Sequence, residues 1–174
     1  MPNIMHLRDS EPFTQLPQEV FDAILAASSI KKFPAHYHIF NQNEPFLGNL
    51  FVIKNGLVEI TLLTPSGEEI VVDYRDEGRI FGCTPLFTNE PYTGGARTVQ
   101  QTECYIIPQQ ILIETADAIP VFKKFFDHMI LKRVRDMYSN IVAEHSKKAL
   151  TQVESYPFKK RLSEIMSTPV AHCQ

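Results

Sequence analysis

The chain has no tryptophan, only three cysteines and only seven glycines in 174 residues. The cysteines Cys83, Cys104 and Cys173 are odd in number and form no CxxC pair, so neither a disulfide framework nor a zinc clip is indicated. No HExxH motif and no HxH pair with a neighbouring carboxylate cluster occurs. His36 and His38 would share one strand face, but surface histidines explain them better than metal ligands do. No apolar run approaches the roughly 20 residues needed to span a bilayer. The N-terminal residues MPNIMHLRDSEPF lack the basic-then-apolar order of a signal peptide. The expectation is a cytoplasmic protein with no membrane partner.

What is present is ordinary globular composition: 44% hydrophobic and 21% charged residues, in a chain long enough to bury a core. The net charge of −3 is unevenly spread. Between Lys123 and Arg161 basic residues outnumber the acids Asp127, Asp136, Glu144 and Glu154 by ten to four. Mixed charges at helical spacing favour a solvated helix face over a nucleic-acid partner.

Along the chain, residues 12–28 read as a helix with Leu16, Val20, Phe21, Ile24 and Leu25 on one side and Pro17 in its first turn. From Ile30 to Gln109 short strands alternate with turns. Asn55-Gly56 is a tight-turn dipeptide, Leu50 to Ile53 is a buried-type run, and Pro65-Ser66-Gly67 turns the chain into Glu69 to Tyr74. Roughly eight strands spaced about 8–12 residues apart predict a mainly β domain, an antiparallel barrel or jelly roll with flanking helices. After Pro108 the pattern turns helical. Phe122, Phe126, Met129, Ile130, Val134, Met137 and Ile141 form an apolar stripe with no Pro or Gly from Val121 to Ser155. A small barrel cannot cover so long a stripe, which predicts a partner for it, a second copy or packing within the chain.

The stretch from Gly78 to Gln100 carries the chemistry. It ends a strand at Arg79-Ile80-Phe81, breaks at Gly82, passes Leu86-Phe87, and starts a new strand near Ala96. A glycine corner followed by a short helix points backbone N–H groups at one spot and favours an anion. Thr84 reads as the N-cap and Pro85 as the first helical residue, at the loss of one donor.

In residues Phe81-Gly82-Cys83-Thr84-Pro85-Leu86-Phe87-Thr88-Asn89-Glu90-Pro91-Tyr92-Thr93-Gly94 the sequence resembles the phosphate-binding cassette of cyclic-nucleotide-binding domains. Ile53-Lys54-Asn55-Gly56-Leu57-Val58 resembles that family's Ile-x-x-Gly-x-Val turn, and Gly78-Arg79-Ile80-Phe81-Gly82 its entry to the cassette. The resemblance implies a cyclic-nucleotide-binding-like β-roll followed by a long helix that forms the dimer seam. It implies ligand contacts from Phe81, Gly82, Cys83, Thr84, Leu86, Tyr92, Thr93 and Gly94. The frame matches but the charges do not: the family's ribose-binding glutamate falls on Cys83 and its phosphate-binding arginine on Tyr92. Arg97 lies five residues further on, and strand alternation puts it on the opposite face. Cys83 reads as a small buried hydrophobe in preference to a reactive thiol. His36 and Asn43 stand where the family usually has glycine.

Pro157 to Val170 resembles the opening of a cystathionine-β-synthase-type (CBS) domain, with Ile165-Met166 followed by Pro169-Val170. Together with the altered cassette, this is similar to bacterial proteins that join a cyclic-nucleotide-binding-like domain, a CBS pair and a nucleotidyltransferase domain. The implied division is an N-terminal helical segment at 1–29, the β-roll at 30–117, a dimerisation helix at 118–150, and a linker with the start of a CBS domain at 151–174. The expected function is a regulatory module without enzymatic activity and without a resident cofactor. It would sense a small molecule or nucleotide, or mediate interaction, with weak or lost cAMP and cGMP binding. Two other readings remain: the ligand-binding domain of a cAMP receptor-type transcription regulator, and a cupin-like metalloenzyme. The first needs a helix-turn-helix and the second a histidine–carboxylate cluster, neither visible in the sequence.

Overall fold

The structure, a computed structural model, describes residues 6–132 together with Arg135 and Ser139. The chain divides into two compact units, Met1–His128 and Met129–Gln174. The fold and the site lie in the first. In the second, the described residues 129–132, 135 and 139 are helical. Val134, Met137 and Ile141 of the apolar stripe, and the CBS-like segment, lie outside the described residues.

Among the described residues, eight strands form two four-stranded antiparallel sheets. One has the order β1-β8-β3-β6, built from β1 (Ser29–Phe33), β8 (Thr102–Pro108), β3 (Asn49–Asn55) and β6 (Ile80–Phe81). The other has the order β2-β7-β4-β5, from β2 (His38–Phe40), β7 (Gly95–Thr98), β4 (Val58–Leu63) and β5 (Glu69–Arg75). This is the β-roll with flanking helices that the strand spacing predicts. Phe33, Phe40, Phe51, Ile53, Val58, Phe81, Ala96, Cys104 and Tyr92 share one buried cluster, so every strand except β5 sends a side chain into it. The run Leu50 to Ile53 is buried throughout, as a strand covered on both faces must be.

The N-terminal segment departs from the single helix expected over 12–28. Phe13–Gln15 is a 3-10 turn, and only Gln18–Ala27 is α-helix (α1), with Pro17 as its N-cap residue. Proline fixes its own backbone and disfavours helix in the residue before it, so the chain cannot run as one helix through Pro17. Phe21 and Ile24 are buried on α1, while Leu25 is exposed. After β8, α2 (Gln109–Ala118) packs Leu112 and Ala116 inward, the chain breaks at Ile119, and a further helix, α3, covers residues 120–128 of this unit. Phe122 and Phe126, the first two residues of the stripe, are buried within this unit. Phe122 meets Phe13 edge-on at 6.0 Å, and Phe126 meets Phe87 edge-on at 5.8 Å. The stripe is therefore not all free for a partner: its beginning is part of the protomer's own core.

His36 (φ 57°) and Asn43 (φ 66°) both adopt the left-handed backbone that glycine favours. The turns keep their shape without the glycine.

Candidate functional site

The cassette joins β6 to β7, linking the edge of one sheet to the interior of the other. It opens at Gly82, whose φ of 73° suits glycine. A Cβ there would also lie 3.0 Å from the Phe51 ring and 3.4 Å from that of Phe40.

The short helix expected behind Thr84 is absent, replaced by successive turns over residues 84–88. The first carbonyl of this corner is that of Cys83, which accepts from the Leu86 N–H at 3.1 Å. The Pro85 carbonyl accepts from Thr88 at 3.2 Å and Asn89 at 2.9 Å. Asn89 then takes a left-handed conformation (φ 57°), the usual way of ending a helical turn. A single turn between Gly82 and Asn89 is too short to propagate a helix. As a consequence the N–H groups of Leu86, Thr88 and Asn89 satisfy the turn's own carbonyls and do not converge on an anion.

The eight candidate residues separate by exposure. Phe81, Cys83, Leu86 and Tyr92 are buried, whereas Gly82, Thr84, Thr93 and Gly94 keep accessible surface. Phe81 stacks on Phe51 with ring centroids 5.0 Å apart. Cys83 has no accessible surface and forms no disulfide, which is the environment of a small apolar side chain. Gly94 runs close to β4, where a Cβ would lie 2.8 Å from the Thr61 carbonyl oxygen.

Tyr92 is the decisive position. It is 2% exposed, and its ring lies flat on that of Phe40, with centroids 3.7 Å apart and planes 8° from parallel. Phe46 closes on it edge-first at 5.8 Å. The hydroxyl accepts a hydrogen bond from the Leu47 N–H at 3.3 Å. Its backbone is fastened as well: Tyr92 N–H donates to the Glu44 carbonyl at 3.0 Å, and Asn43 N–H donates to the Tyr92 carbonyl at 2.8 Å. Burial pushes the phenol up to about 12, because the phenolate would lose its hydration. Tyr92 is thus a member of the aromatic core and offers no charge to the cassette.

Arg97 is engaged elsewhere. Its neighbour Ala96 belongs to the buried cluster, and Arg97 pairs on the other face of β7 with Glu59 and, at 3.3 Å, with Glu69. Arg79, ahead of the cassette, is exposed beside Asp76 at 3.6 Å. Sequence reasoning missed the loop 41–48, which supplies Phe46, Leu47, Asn43 and Glu44 to Tyr92. The signal in the sequence was Asn43, standing where the family usually has glycine. Among the described residues, no group of three or more His, Cys, Asp or Glu side chains is arranged to hold a metal. No described helix is long and apolar enough to cross a membrane.

The cyclic nucleotide-binding domain model matches residues 30–118. A curated relative, the anaerobic regulatory protein of Bacillus subtilis (strain 168), is 26% identical over 106 residues. That match covers 60% of this chain and 44% of the relative, so the chain spans less than half the length of the curated relative it matches. Among solved structures, the sensor domain of the transcriptional regulator DNR from Pseudomonas aeruginosa is similar with a TM-score of 0.66 at 19% identity, over 76% of this chain and 89% of that one. The catabolite activator protein of Thermus thermophilus gives 0.65 at 20% identity, over 75% and 62%. The regulatory domain of Toxoplasma gondii PKA with cAMP gives 0.58 at 22%, over 62% and 41%. The two-sheet roll, the glycine-led corner between β6 and β7 and the match over residues 30–118 agree: the chain belongs to the cyclic nucleotide-binding domain family.

Proposed function

We propose that this domain is a regulatory, non-enzymatic module of a multidomain signal-transduction protein, one that binds cAMP and cGMP weakly or not at all. Tyr92 carries the reading. At the position that would hold the phosphate's arginine stands a buried ring stacked on Phe40, with its hydroxyl already bonded to Leu47. Leaving a buried charge without its partner typically costs about 3–5 kcal/mol, and a neutral hydrogen bond returns only about 1 kcal/mol. Cys83 removes the second charged contact, worth about 1.5–3 kcal/mol. Those losses move a micromolar site to about the millimolar range or beyond.

The residues that keep accessible surface, Gly82, Thr84, Thr93 and Gly94, are where a smaller or uncharged ligand would lie. The division at 29/30, 117/118 and 150/151, the homodimer through the later part of the stripe, and downstream CBS and nucleotidyltransferase domains belong to the same proposal. Its support is the family match together with Pro157 to Val170.

Calorimetry at low salt tests it, with both cyclic nucleotides against the unmodified chain and a Cys83→Glu, Tyr92→Arg double variant whose fold is checked by circular dichroism. The unmodified chain is expected to show no binding below about millimolar concentration. Micromolar affinity for either nucleotide overturns the reading. A gain in the double variant means that the pocket lost its charges and kept its shape.

A second reading, the ligand-binding domain of a cAMP receptor-type transcription regulator, is favoured by the names of two neighbours, a transcriptional regulator's sensor domain and a catabolite activator protein. Mobility shift of genomic DNA fragments by the full-length protein separates the two, since only the second expects sequence-dependent retardation.

A further inference from the structure

The cassette turn is held from outside by a side chain of the chain itself. Gln109, the first residue of α2, donates its backbone N–H to the Gly48 carbonyl at 2.9 Å, which fixes where the residue stands. From there its side-chain Nε2 donates to the Leu86 carbonyl and to Asn89 Oδ1, each at 2.7 Å. These two acceptors span the second half of the turn. Leu86 lies at its middle, and Asn89 is the left-handed residue that ends it. Between them Phe87 rests edge-on against Phe126 of α3. One residue therefore ties the cassette turn, through its side chain, and the loop before β3, through its backbone N–H, to the start of α2, at the point where the turn touches α3.

We infer that Gln109 is a latch that sets the position of the cassette turn without a ligand, and with it the contact that Phe87 makes to α3. The inference rests on the reading that no cyclic nucleotide organises the cassette. A bound anion would order such a turn by accepting from its N–H groups, but those of Leu86, Thr88 and Asn89 already serve the Cys83 and Pro85 carbonyls. Besides the buried side chains of Cys83 and Leu86, what places the turn as a body is the Gln109 amide on one side and Phe87 on the other. Alanine at position 109 removes both side-chain bonds while leaving the Gly48 contact and a good helix former in α2. A glutamate side chain at that position has no N–H to donate, and its charge opposes the Leu86 carbonyl.

The test is amide hydrogen exchange on the full chain, unmodified and as Gln109→Ala and Gln109→Glu, each with and without millimolar cAMP. In both variants the amides of Leu86, Thr88 and Asn89 are expected to exchange about tenfold faster or more, while those of β3 and β8 keep their rates, because the latch governs a local opening. Amides of residues 122–126 are expected to loosen with the turn. Unchanged exchange over 84–89 in both variants overturns the inference. Acceleration spread evenly over β3 and β8 overturns it too, since Gln109 would then only be part of the fold's general stability. If cAMP slows those three amides in the unmodified chain, a ligand sets the turn, and both the inference and the reading beneath it fail. If cAMP has no effect and neither variant changes the turn, the inference alone fails.

Discussion

Strands β3 and β5 are both seven residues long and both rich in apolar, β-branched side chains, yet they meet opposite fates. β3, Asn-Leu-Phe-Val-Ile-Lys-Asn, lies between β8 and β6 and buries Leu50, Phe51, Val52 and Ile53. β5, Glu-Ile-Val-Val-Asp-Tyr-Arg, is the edge of the other sheet and leaves Ile70, Val71, Val72 and Tyr74 exposed, with Tyr74 at 58%. Its pairing with β4 also slips between Ile60 and Thr61, where Val72 is the extra residue. A bulge of this kind twists an edge strand and protects it against pairing with another chain. The lesson is that an apolar strand pattern reports the fit to a pleated surface, not which surface will be covered.

The sharpest way to break this comparison is to truncate one residue in each strand. Ile53→Ala is expected to destabilise by about 3 kcal/mol or more, since it opens a cavity in a fully buried cluster. Val71→Ala on β5 is expected to stay within about 0.5 kcal/mol. Urea denaturation of the two variants checks this, and similar losses would mean that β5 is covered in solution.

The turns at the near ends of these strands give a second contrast. Gly56, just after β3, has φ 117°, and a Cβ there would lie 2.5 Å from Thr102 Oγ1 and 2.8 Å from Thr102 Cα. Gly67, just before β5, has φ 83° with nothing within 4 Å. Gly56→Ala should cost about 2–3 kcal/mol through strain and clash together. Gly67→Ala should cost only about 1 kcal/mol, the strain of the left-handed backbone alone. Thermal melts of both variants rank the two, and a reversed order would place the tight contact on the wrong hairpin.

A third contrast concerns pH. Burial raises Tyr92 from its ordinary value of 10.0 to about 12, so the folded state holds that proton more tightly than the unfolded chain does. Its contribution is complete below pH 10 and fades as pH rises towards 12, where the unfolded chain binds fewer protons than the folded one. Unfolding at pH 9 and pH 11 should show a loss of about 1–2 kcal/mol at the higher value, reduced in Tyr92→Phe. An equal loss in the phenylalanine variant would assign the effect to other groups.

Much of this architecture can be read along the chain. The turn dipeptides, the switch of period near Pro108 and the glycine-led corner at Gly82 predict strands, helices and cassette in their observed order, because they act between neighbours in sequence. The four-residue burial of Leu50 to Ile53 is likewise legible as a continuous apolar run. The sequence suggests a short helix after Thr84 because Pro85 and a proline-bounded loop resemble a cap, while the end at Asn89 depends on a left-handed residue that asparagine only permits. The N-terminal helix is shorter than its pattern for a related reason: the apolar spacing continues through Pro17 although the helix begins only at Gln18.

By itself, the sequence determined that the two positions expected to carry charge in the cassette hold Cys83 and Tyr92, and that Arg97 follows five residues further on. Only the tertiary structure decided what those residues became. The ring of Tyr92 is stacked by Phe40, closed by Phe46 and bonded by Leu47, partners 45 to 52 positions away in the chain, and no local pattern encodes such contacts. The same holds for Gln109, which reads as the first residue of a helix and acts on a turn 20 and 23 residues before it. Side-chain identity is a property of one position, whereas burial, stacking and donor–acceptor pairing belong to positions brought together by the closure of both sheets.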